Sequence, residues 1–218
     1  MRGGAAARPA APGGGSAGQR IGALISGRGS NLAAILQASA AGRIPAPVAL
    51  VVSNVAGAPG LDHARRAGVR HEVIDHRGSA GREEHDRTVA ALLDDAGVTL
   101  VCLAGYMRLL SPWFLGRYRG RVLNIHPSLL PAFPGLHAQR QALRHGAKVT
   151  GCTVHIVDEG LDSGPIVLQA AVPVEADDDE EALSARILRQ EHRIYPEAIR
   201  LFCEDRLEVI GRTVRIRT

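Results

Sequence analysis

Aromatic residues are scarce in this chain of 218 residues: it has one Trp, three Tyr and three Phe. Proteins that bind single-stranded nucleic acids stack bases on aromatic side chains beside a basic groove. The formal net charge of +4 does not supply such a groove, because three arginines lie in the first 20 residues, which contain no acid. Residues 21–218 therefore carry only +1. We expect no nucleic acid partner.

Cysteines and long apolar runs are also few. The three cysteines, Cys102, Cys152 and Cys203, are far apart and form no C-x-x-C pair. This pattern argues against a disulfide framework or a metal site, and it favours a reducing, cytoplasmic location. No apolar stretch approaches the roughly 20 residues that a membrane helix needs. We expect neither a bound metal nor a membrane partner.

The first 20 residues differ in composition from the rest of the chain. They are rich in Gly, Ala and Pro and lack the apolar stretch of a signal peptide, which predicts a disordered N-terminal extension over residues 1–20. The remaining sequence contains no further linker and no internal repeat. Residues 21–218 are therefore predicted to form a single domain.

Strand-like and helix-like segments alternate along most of the chain, and this alternation predicts the fold. We predict strands at 20–26, 47–53, 71–74, 99–104 and 121–126, and helices at 31–41, 58–67, 82–96 and 113–118. Two further strands (149–158 and 166–174), a long helix (179–203) and a terminal hairpin (207–210 and 213–216) follow. The pattern is typical of a Rossmann-like, doubly wound α/β fold. We expect a mostly parallel sheet with helices on both faces and an antiparallel C-terminal portion.

A glycine-rich loop, Gly27 to Asn31, separates the first strand from the first helix. Glycines allow close approach of a ligand to the backbone, and the N–H groups and dipole at a helix N-terminus favour a phosphate. Ser30 and Asn31 are also suited to the N-cap position. Leu32 stands where the dinucleotide fingerprint needs its third glycine, and no P-loop lysine follows. A phosphate monoester on a small substrate fits this loop, although a tight turn without a ligand explains it too.

Asn124 and His126 lie two residues apart near the end of an apolar strand. Their side chains share one face of the sheet, because side chains alternate along a strand. An amide beside an imidazole can stabilise an oxyanion and transfer a proton. The alternative is a pair of hydrogen-bonded side chains that only closes the strand.

Asp162 lies in the turn-rich segment DEGLDSGP between two strands. A carboxylate close to His126 would favour the charged imidazolium. The alternative is a solvated acidic turn, and its spacing does not match a calcium-binding EF-hand loop. No G-x-S-x-G motif is present, and Cys102 lies inside an apolar strand, so covalent catalysis is disfavoured.

Five segments together resemble phosphoribosylglycinamide formyltransferases, the folate-dependent enzymes of purine biosynthesis. They are SGRGSN (26–31), LAGYMRLLS (103–111), LNIHPSLLPAFPGLHAQRQAL (123–143), TVHIVDEGLDSGPIVLQ (153–169) and QEHRIYP (190–196). The similarity extends from about Ile21 to Ile210. The middle segments are specific for folate-dependent formyl transfer, and the first and last indicate the glycinamide ribonucleotide branch.

The resemblance implies a role for each matching residue. Asn124, His126 and Asp162 would be catalytic, and Gly29, Ser30, Asn31 and Glu191 would bind phosphoribosylglycinamide. The folate would contact Arg82, Met107, Arg108, Leu109, Leu110 and Asn124. Arg28 and His85 depart from the family pattern, since relatives often carry a smaller or neutral residue at the first position and an aromatic residue at the second.

The resemblance also implies the reaction: transfer of a formyl group from 10-formyltetrahydrofolate, as co-substrate, to the amine of phosphoribosylglycinamide. The partners would be small molecules, and the protein a monomer or homodimer. Methionyl-tRNA formyltransferases share the catalytic set but carry a C-terminal tRNA domain, and formyltetrahydrofolate hydrolases carry an N-terminal regulatory domain. We expect neither domain here. A non-catalytic module that binds nucleotides through the glycine loop is the alternative from another class.

Overall fold

The structure is a computed structural model and describes residues 18–218. The predicted disordered extension lies outside the described residues except at its end. There, the Thr99 hydroxyl contacts both of the last two residues of the extension: it donates to Gln19 Oε1 at 2.6 Å and accepts from the Arg20 backbone N–H at 2.9 Å. The boundary of the single domain stays a prediction.

Residues 18–218 contain nine strands and six α-helices. The strands are β1 (Ile21–Ile25), β2 (Val48–Ser53), β3 (His71–Val73), β4 (Leu100–Leu103), β5 (Val122–His126), β6 (Val149–Ile156), β7 (Ile166–Pro173), β8 (Leu207–Ile210) and β9 (Thr213–Ile216). The helices are α1 (Ser30–Ala40), α2 (Leu61–Arg66), α3 (Arg82–Asp95), α4 (Pro112–Arg117), α5 (Ala138–Arg144) and α6 (Glu180–Cys203).

All nine strands form one sheet in the order β3-β2-β1-β4-β5-β6-β7-β9-β8. The first five strands are parallel, and β6 then pairs antiparallel with both β5 and β7. The terminal hairpin of β8 and β9 adds to the edge of β7. This arrangement confirms the predicted fold: a doubly wound, mostly parallel sheet with an antiparallel C-terminal portion.

Helices cover both faces of the sheet and enclose two separate cores. Ala23 and Ile25 of β1 pack in the core that contains α1, α2 and α6, whereas Leu24, between them, packs against α3 and α4. Strands buried on both faces have continuous apolar sequences rather than alternating ones, which explains why β1 and β4 are apolar throughout and β2 is apolar up to Ser53 at its end. Each fully buried aliphatic side chain contributes about 1.5–3 kcal/mol to folding.

Two helices differ from the sequence-based expectation. Helix α2 begins at Leu61 rather than at residue 58, because residues 58–60 form a turn whose Gly60 N–H donates to the Gly27 carbonyl at 2.9 Å. Helix α5 was not predicted at all. Its seven residues follow a loop rich in Pro and Gly, and Ala138 and Ala142 are its only buried side chains, so its apolar stripe is too short to be recognised by periodicity.

The carboxyl ends of β1, β4 and β5 lie side by side in the middle of the sheet, since these strands are parallel neighbours. The chain winds in opposite directions on the two sides of the junction between β1 and β4, and open α/β sheets bind their ligands at such a point. The loops that follow β1, β4 and β5 carry most of the predicted site residues. Within residues 18–218 no helix is long and apolar enough to cross a membrane.

Candidate active site

His126 and Asp162 meet at the end of β5, although 36 positions separate them in the sequence. The imidazole Nδ1 lies 3.3 Å from Asp162 Oδ2, and both side chains are largely buried. Asp162 adopts the left-handed conformation (φ 48°), which is uncommon for a residue other than glycine. Its carboxylate also accepts the backbone N–H of Gly135 at 2.8 Å. The turn that carries Asp162 is therefore folded onto the end of β5, and the solvated-turn alternative does not describe this geometry.

The hydrogen-bond partner of the second ring nitrogen of His126 shows where the imidazole carries its protons. Nε2 lies 2.9 Å from the carbonyl oxygen of Phe133, and a carbonyl only accepts hydrogen bonds, so Nε2 carries a proton. Nδ1 faces the carboxylate of Asp162. An imidazolium, which donates from both nitrogens, satisfies both oxygens at once.

The loop that supplies the Phe133 carbonyl is held by strand β6. The Thr153 hydroxyl donates to the Ser128 carbonyl at 2.7 Å and accepts the Leu130 N–H at 3.0 Å. Thr153 is also the cross-strand partner of His126. Strand β6 thus fixes both the histidine and the loop that it contacts.

Asn124 contacts a histidine that the sequence analysis did not select. Its amide Nδ2 lies 3.2 Å from Nε2 of His155, its antiparallel partner on β6. Burial lowers the pKa of His155, despite the Asp162 carboxylate 3.7 Å away. The ring is therefore neutral, and with Nδ1 directed at the Ile156 carbonyl (3.3 Å) its Nε2 accepts from Asn124. This contact orients the amide and leaves the second N–H of Asn124 available.

The N-terminus of α1 lies at the end of β1, and its cap differs from the prediction. Gly29, in the left-handed conformation (φ 71°), is the N-cap, and no side chain caps the helix. The expected cap by Ser30 or Asn31 is therefore wrong, because both residues are already inside the first turn. The first N–H groups of α1 have no acceptor within the helix and remain available to a ligand.

Asn31 instead joins α1 to α6. Its Nδ2 donates to Oε2 of Glu191 at 2.7 Å, a contact between residues 160 positions apart. Both side chains are buried, and Asn31 Oδ1 has no partner within the described residues. Burial raises the pKa of Glu191, and the hydrogen bond from Asn31 opposes that shift. The structure thus unites two residues that the resemblance assigns to the same substrate.

The loop between β4 and α4 is anchored at both ends by α3. His85 Nε2 lies 2.9 Å from the Tyr106 hydroxyl, and the next residue, Asp86, accepts the Ser111 backbone N–H at 2.6 Å. Both His85 and Asp86 are buried. The Met107 N–H, just after the first anchor, donates to the Ser26 hydroxyl at the end of β1 (2.8 Å). Helix α3 and β1 therefore fix the position of residues 107–110.

The four residues between these anchors have different environments. Met107 and Leu109 are 66% and 58% exposed, whereas Leu110 is buried in the core with α3 and α4. Arg108 is half-buried, and its Nε has no partner within residues 18–218. Arg82 is exposed at the start of α3, one turn before His85.

Two more exposed leucines lie in the loops that flank Asp162 and Gly135. Leu136 follows Gly135 and is 71% exposed, and Leu161 precedes Asp162 and is 56% exposed. The two loops touch, since a Cβ on Gly135 would lie 3.5 Å from Leu161 Cδ2. Exposed large apolar side chains grouped around polar residues mark ligand or partner sites. We call Met107, Leu109, Leu136 and Leu161 the apolar rim.

The sequence profile of the formyl transferase family matches residues 19–199. The chain belongs to the formyl transferase family. It is 48% identical over 186 residues to the phosphoribosylglycinamide formyltransferase of Escherichia coli (strain K12), and the match covers 85% of this chain and 88% of that protein. The crystal structure of glycinamide ribonucleotide transformylase 1 from Symbiobacterium toebii matches with a TM-score of 0.91 and 59% identity, over 92% of this chain and 94% of that chain.

A longer relative contains a segment similar to this formyl transferase. The trifunctional purine biosynthetic protein adenosine-3 of Drosophila melanogaster is 51% identical over 183 residues, which is 83% of this chain and 14% of that protein. This chain therefore spans about a seventh of the length of that relative.

Several residues of this formyl transferase that support the site were missed in the sequence. His155 is the third residue of TVHIVDEGLDSGP, and its alternation with Thr153 puts both on one face of β6. Asp86 and Tyr106 gave no local signal, because each is recognised only by its partner across the fold. Among residues 18–218, no group of three or more His, Cys, Asp or Glu side chains is arranged to hold a metal ion.

We expect the free energy of unfolding of this formyl transferase to fall as the pH drops from 7.5 to 5.5. Burial lowers the pKa of His85 and of His155 below the ordinary value of 6.5. Both are neutral in the folded chain, whereas the unfolded chain binds protons below pH 6.5, so stability present above that pH is lost on acidification. Each contributes a slope of at most about 1.4 kcal/mol per pH unit. Urea unfolding at the two pH values measures the fall.

Single variants identify the groups responsible. His85→Gln should give a shallower fall, and His145→Gln, which replaces an exposed histidine, should leave it as in the wild type. The raised pKa of Glu191 acts in the opposite direction, since protonation of this carboxyl favours the folded chain. The same slope in the wild type and in His85→Gln would refute the assignment to His85.

Proposed function

We propose that this protein transfers the formyl group of 10-formyltetrahydrofolate to the amine of phosphoribosylglycinamide, giving formylglycinamide ribonucleotide and tetrahydrofolate in purine biosynthesis. The observation that carries the proposal is the convergence of Asn124, His126 and Asp162 at the end of β5. It lies between the open N-terminus of α1 and the apolar rim. The names of the relatives support the same reaction.

The amine substrate is assigned to the side of the cleft formed by α1 and α6. Its phosphate would accept hydrogen bonds from the free N–H groups of Gly29, Ser30 and Asn31 at the helix N-terminus. The carboxylate of Glu191, held by Asn31, would accept the ribose hydroxyls. Gly29 is suited to this contact, because a Cβ at its position would lie 2.6 Å from Gly60 Cα.

The folate is assigned to the side formed by the loop between β4 and α4. Met107 and Leu109, with the rest of the apolar rim, offer the exposed apolar surface that a pterin ring requires. The backbone of residues 107–110 supplies hydrogen-bonding groups for its polar edge, and Asn124 completes that pocket. Arg108, in this loop, and Arg82, at the start of α3, would contact the acidic end of the co-substrate.

The reaction requires little activation of the nucleophile. A primary α-amine has a pKa of roughly 7.7–8.0, so part of it is neutral near pH 7. Its attack on the formyl carbon forms the new C–N bond and places negative charge on the formyl oxygen. The free N–H of Asn124 and the charged imidazole of His126 would stabilise that charge, as the donors of an oxyanion hole do.

The second half of the reaction is a proton transfer. The amine loses a proton and N10 of the folate gains one as its bond to the formyl carbon breaks, so the proton balance closes without a metal. His126 is the proposed donor, directly or through water. Both of its N–H groups face protein oxygens in this structure. Delivery therefore requires it to exchange the Phe133 carbonyl or the Asp162 carboxylate for substrate or water.

The wider proposal concerns the whole chain. Residues 21–218 would form one formyltransferase domain that acts as a monomer or homodimer on small molecules, with no metal. We place it in the cytoplasm, a location supported by the state of Cys102, Cys152 and Cys203, all three of which are unpaired and buried.

An assay with phosphoribosylglycinamide and 10-formyltetrahydrofolate tests the proposed function, with the amine substrate omitted in a parallel reaction. We expect tetrahydrofolate and the formylated amine to appear together, and only when both substrates are present. Release of formate without the amine would instead identify a hydrolase. Tight binding of phosphorylated ligands with no formyl transfer would identify a binding module.

A further inference from the structure

The proposed phosphate site lacks a positively charged side chain. Gly29, Ser30 and Asn31 are neutral, and Glu191 is an acid. A phosphate monoester carries a charge of about −1.5 to −2 near pH 7. The dipole of α1 contributes the equivalent of only about +0.5 at its N-terminus. Further positive charge is needed to balance the ligand, and it must lie beside the first turn of α1.

Arg28 is the first cation at this position. It lies within the glycine loop, directly before the N-cap residue Gly29, and its side chain is exposed. Within residues 18–218 its guanidinium forms no hydrogen bond and no ion pair. Arg65 of α2, by contrast, is ion-paired with Asp62. The side chain of Arg28 is therefore available to an anion at the N-terminus of α1.

His63 of α2 is the second group beside the loop. A Cβ on Gly29 would lie 2.6 Å from Gly60 Cα and 3.5 Å from Cδ2 of His63. The edge of the imidazole that carries Cδ2 is thus packed against the N-cap of α1. The half-buried ring would thus be in ordinary van der Waals contact with a Cβ at Gly29, and it lies beside the backbone that would bind the phosphate.

The contact between His63 and Arg66 identifies the tautomer of the ring. Arg66 Nη2 lies 3.3 Å from His63 Nδ1. Arginine has no acceptor, so Nδ1 is the acceptor and the ring proton is on Nε2. Because Nε2 is bonded to Cδ2, the N–H donor lies on the ring edge that faces Gly29. The guanidinium of Arg66, which has no carboxylate partner within the described residues, adds positive charge behind the ring.

We propose that Arg28, which supplies a positive charge, and His63, which supplies an Nε2–H donor and is oriented by Arg66, form the outer side of the phosphate site. Arg28 donates charge-assisted hydrogen bonds from the loop, and His63 donates from Nε2 across Gly29. Together with the N–H groups of α1, they enclose the phosphate from two elements. These residues determine the preference for a phosphorylated amine over the same amine without phosphate. The inference rests on the proposed function, since it concerns the substrate of that same site.

Steady-state kinetics on Arg28→Gln and His63→Ala test the inference. We expect each substitution to raise the KM for phosphoribosylglycinamide about tenfold or more, as the loss of a hydrogen bond to a charged group does. The KM for 10-formyltetrahydrofolate should change less than about twofold. With the dephosphorylated amine, glycinamide riboside, the variants and the wild type should have equal kcat/KM. Arg65→Gln is the matched control. Arg65 lies on the same helix as His63, and its charge is already neutralised by Asp62.

Each outcome decides the inference. Unchanged KM values in Arg28→Gln and His63→Ala, or an equal rise in Arg65→Gln, would overturn it. Arg28 is exposed, so its variant remains informative if His63→Ala is unstable. If the wild type fails to formylate the amine, the proposed function is wrong, and the phosphate site is tested separately with inorganic phosphate. Thermal stabilisation by phosphate that is lost in Arg28→Gln but kept in Arg65→Gln supports the site, and equal stabilisation in both excludes it.

Discussion

His126→Ala is expected to lower kcat by at least about 10²–10³-fold, the usual cost of removing one oxyanion donor. The substitution removes the group proposed to stabilise the formyl oxygen and to supply the proton to N10. Neither proposed binding site uses this side chain, so the KM values should change far less than kcat. Single-turnover and steady-state formyl transfer measure the loss.

A matched substitution separates this effect from a loss of folding. His71→Ala replaces a histidine of β3, the strand at the far edge of the sheet, and should retain wild-type turnover. Because His126 is buried beside the Phe133 carbonyl, the His126→Ala variant leaves a space that added imidazole can enter, and partial rescue by imidazole is expected. A folded His126→Ala variant with near-normal turnover would exclude the catalytic role.

Asp162→Asn is expected to lower kcat by at least about 10²-fold, because the charged imidazole of His126 depends on the negative charge of its partner. The carboxylate faces His126 Nδ1 at 3.3 Å and accepts the Gly135 N–H at 2.8 Å. An amide of the same shape keeps the second contact and no longer stabilises the imidazolium. A neutral partner at a histidine also permits the wrong tautomer. The pH dependence of kcat should change together with its magnitude.

Glu159→Gln is the control for this substitution. It removes the same charge from the same turn, and Glu159 is exposed. Its turnover and pH profile should match those of the wild type. If Asp162→Asn kept the wild-type pH profile, or if Glu159→Gln lowered turnover equally, the pairing of Asp162 with His126 would have no part in catalysis.

Much of the fold could be predicted from periodicity alone. The runs of β1, β2 and β4 are almost entirely apolar because helices cover both faces of the sheet, and a recognisable helical pattern follows each of them. Both strands of the terminal hairpin were predicted with their observed bounds. The helix ends were less predictable. Ser30 and Asn31 have good capping side chains, yet Gly29 is the cap, because contacts with Gly60 and Glu191 outweigh the local preference.

The candidate site could be predicted only in part, for a related reason. Asn124 and His126 follow from alternation along one strand, since that rule is local. The residues that hold the site in place are not local. His155, which contacts Asn124, lies on an antiparallel neighbour, and the residues that contact Tyr106 and Ser111 lie on α3. A hydrogen bond between residues 20 or more positions apart leaves no periodic pattern in either segment, so Asp86 and His85 carried no signal of the loop that they hold.

The order of strands and helices, the family motifs and the chemical types of the site residues are properties of the sequence by itself, because backbone propensity and apolar periodicity act over a few neighbouring residues. The tertiary structure alone decided which of these groups touch. It brought Asp162 to His126, Asn31 to Glu191 and His63 to Gly29, and it set the protonation of the imidazoles through the oxygens and nitrogens placed around them. Burial and partner geometry depend on the packing of distant segments, and that packing exists only once the sheet has formed and the helices cover it.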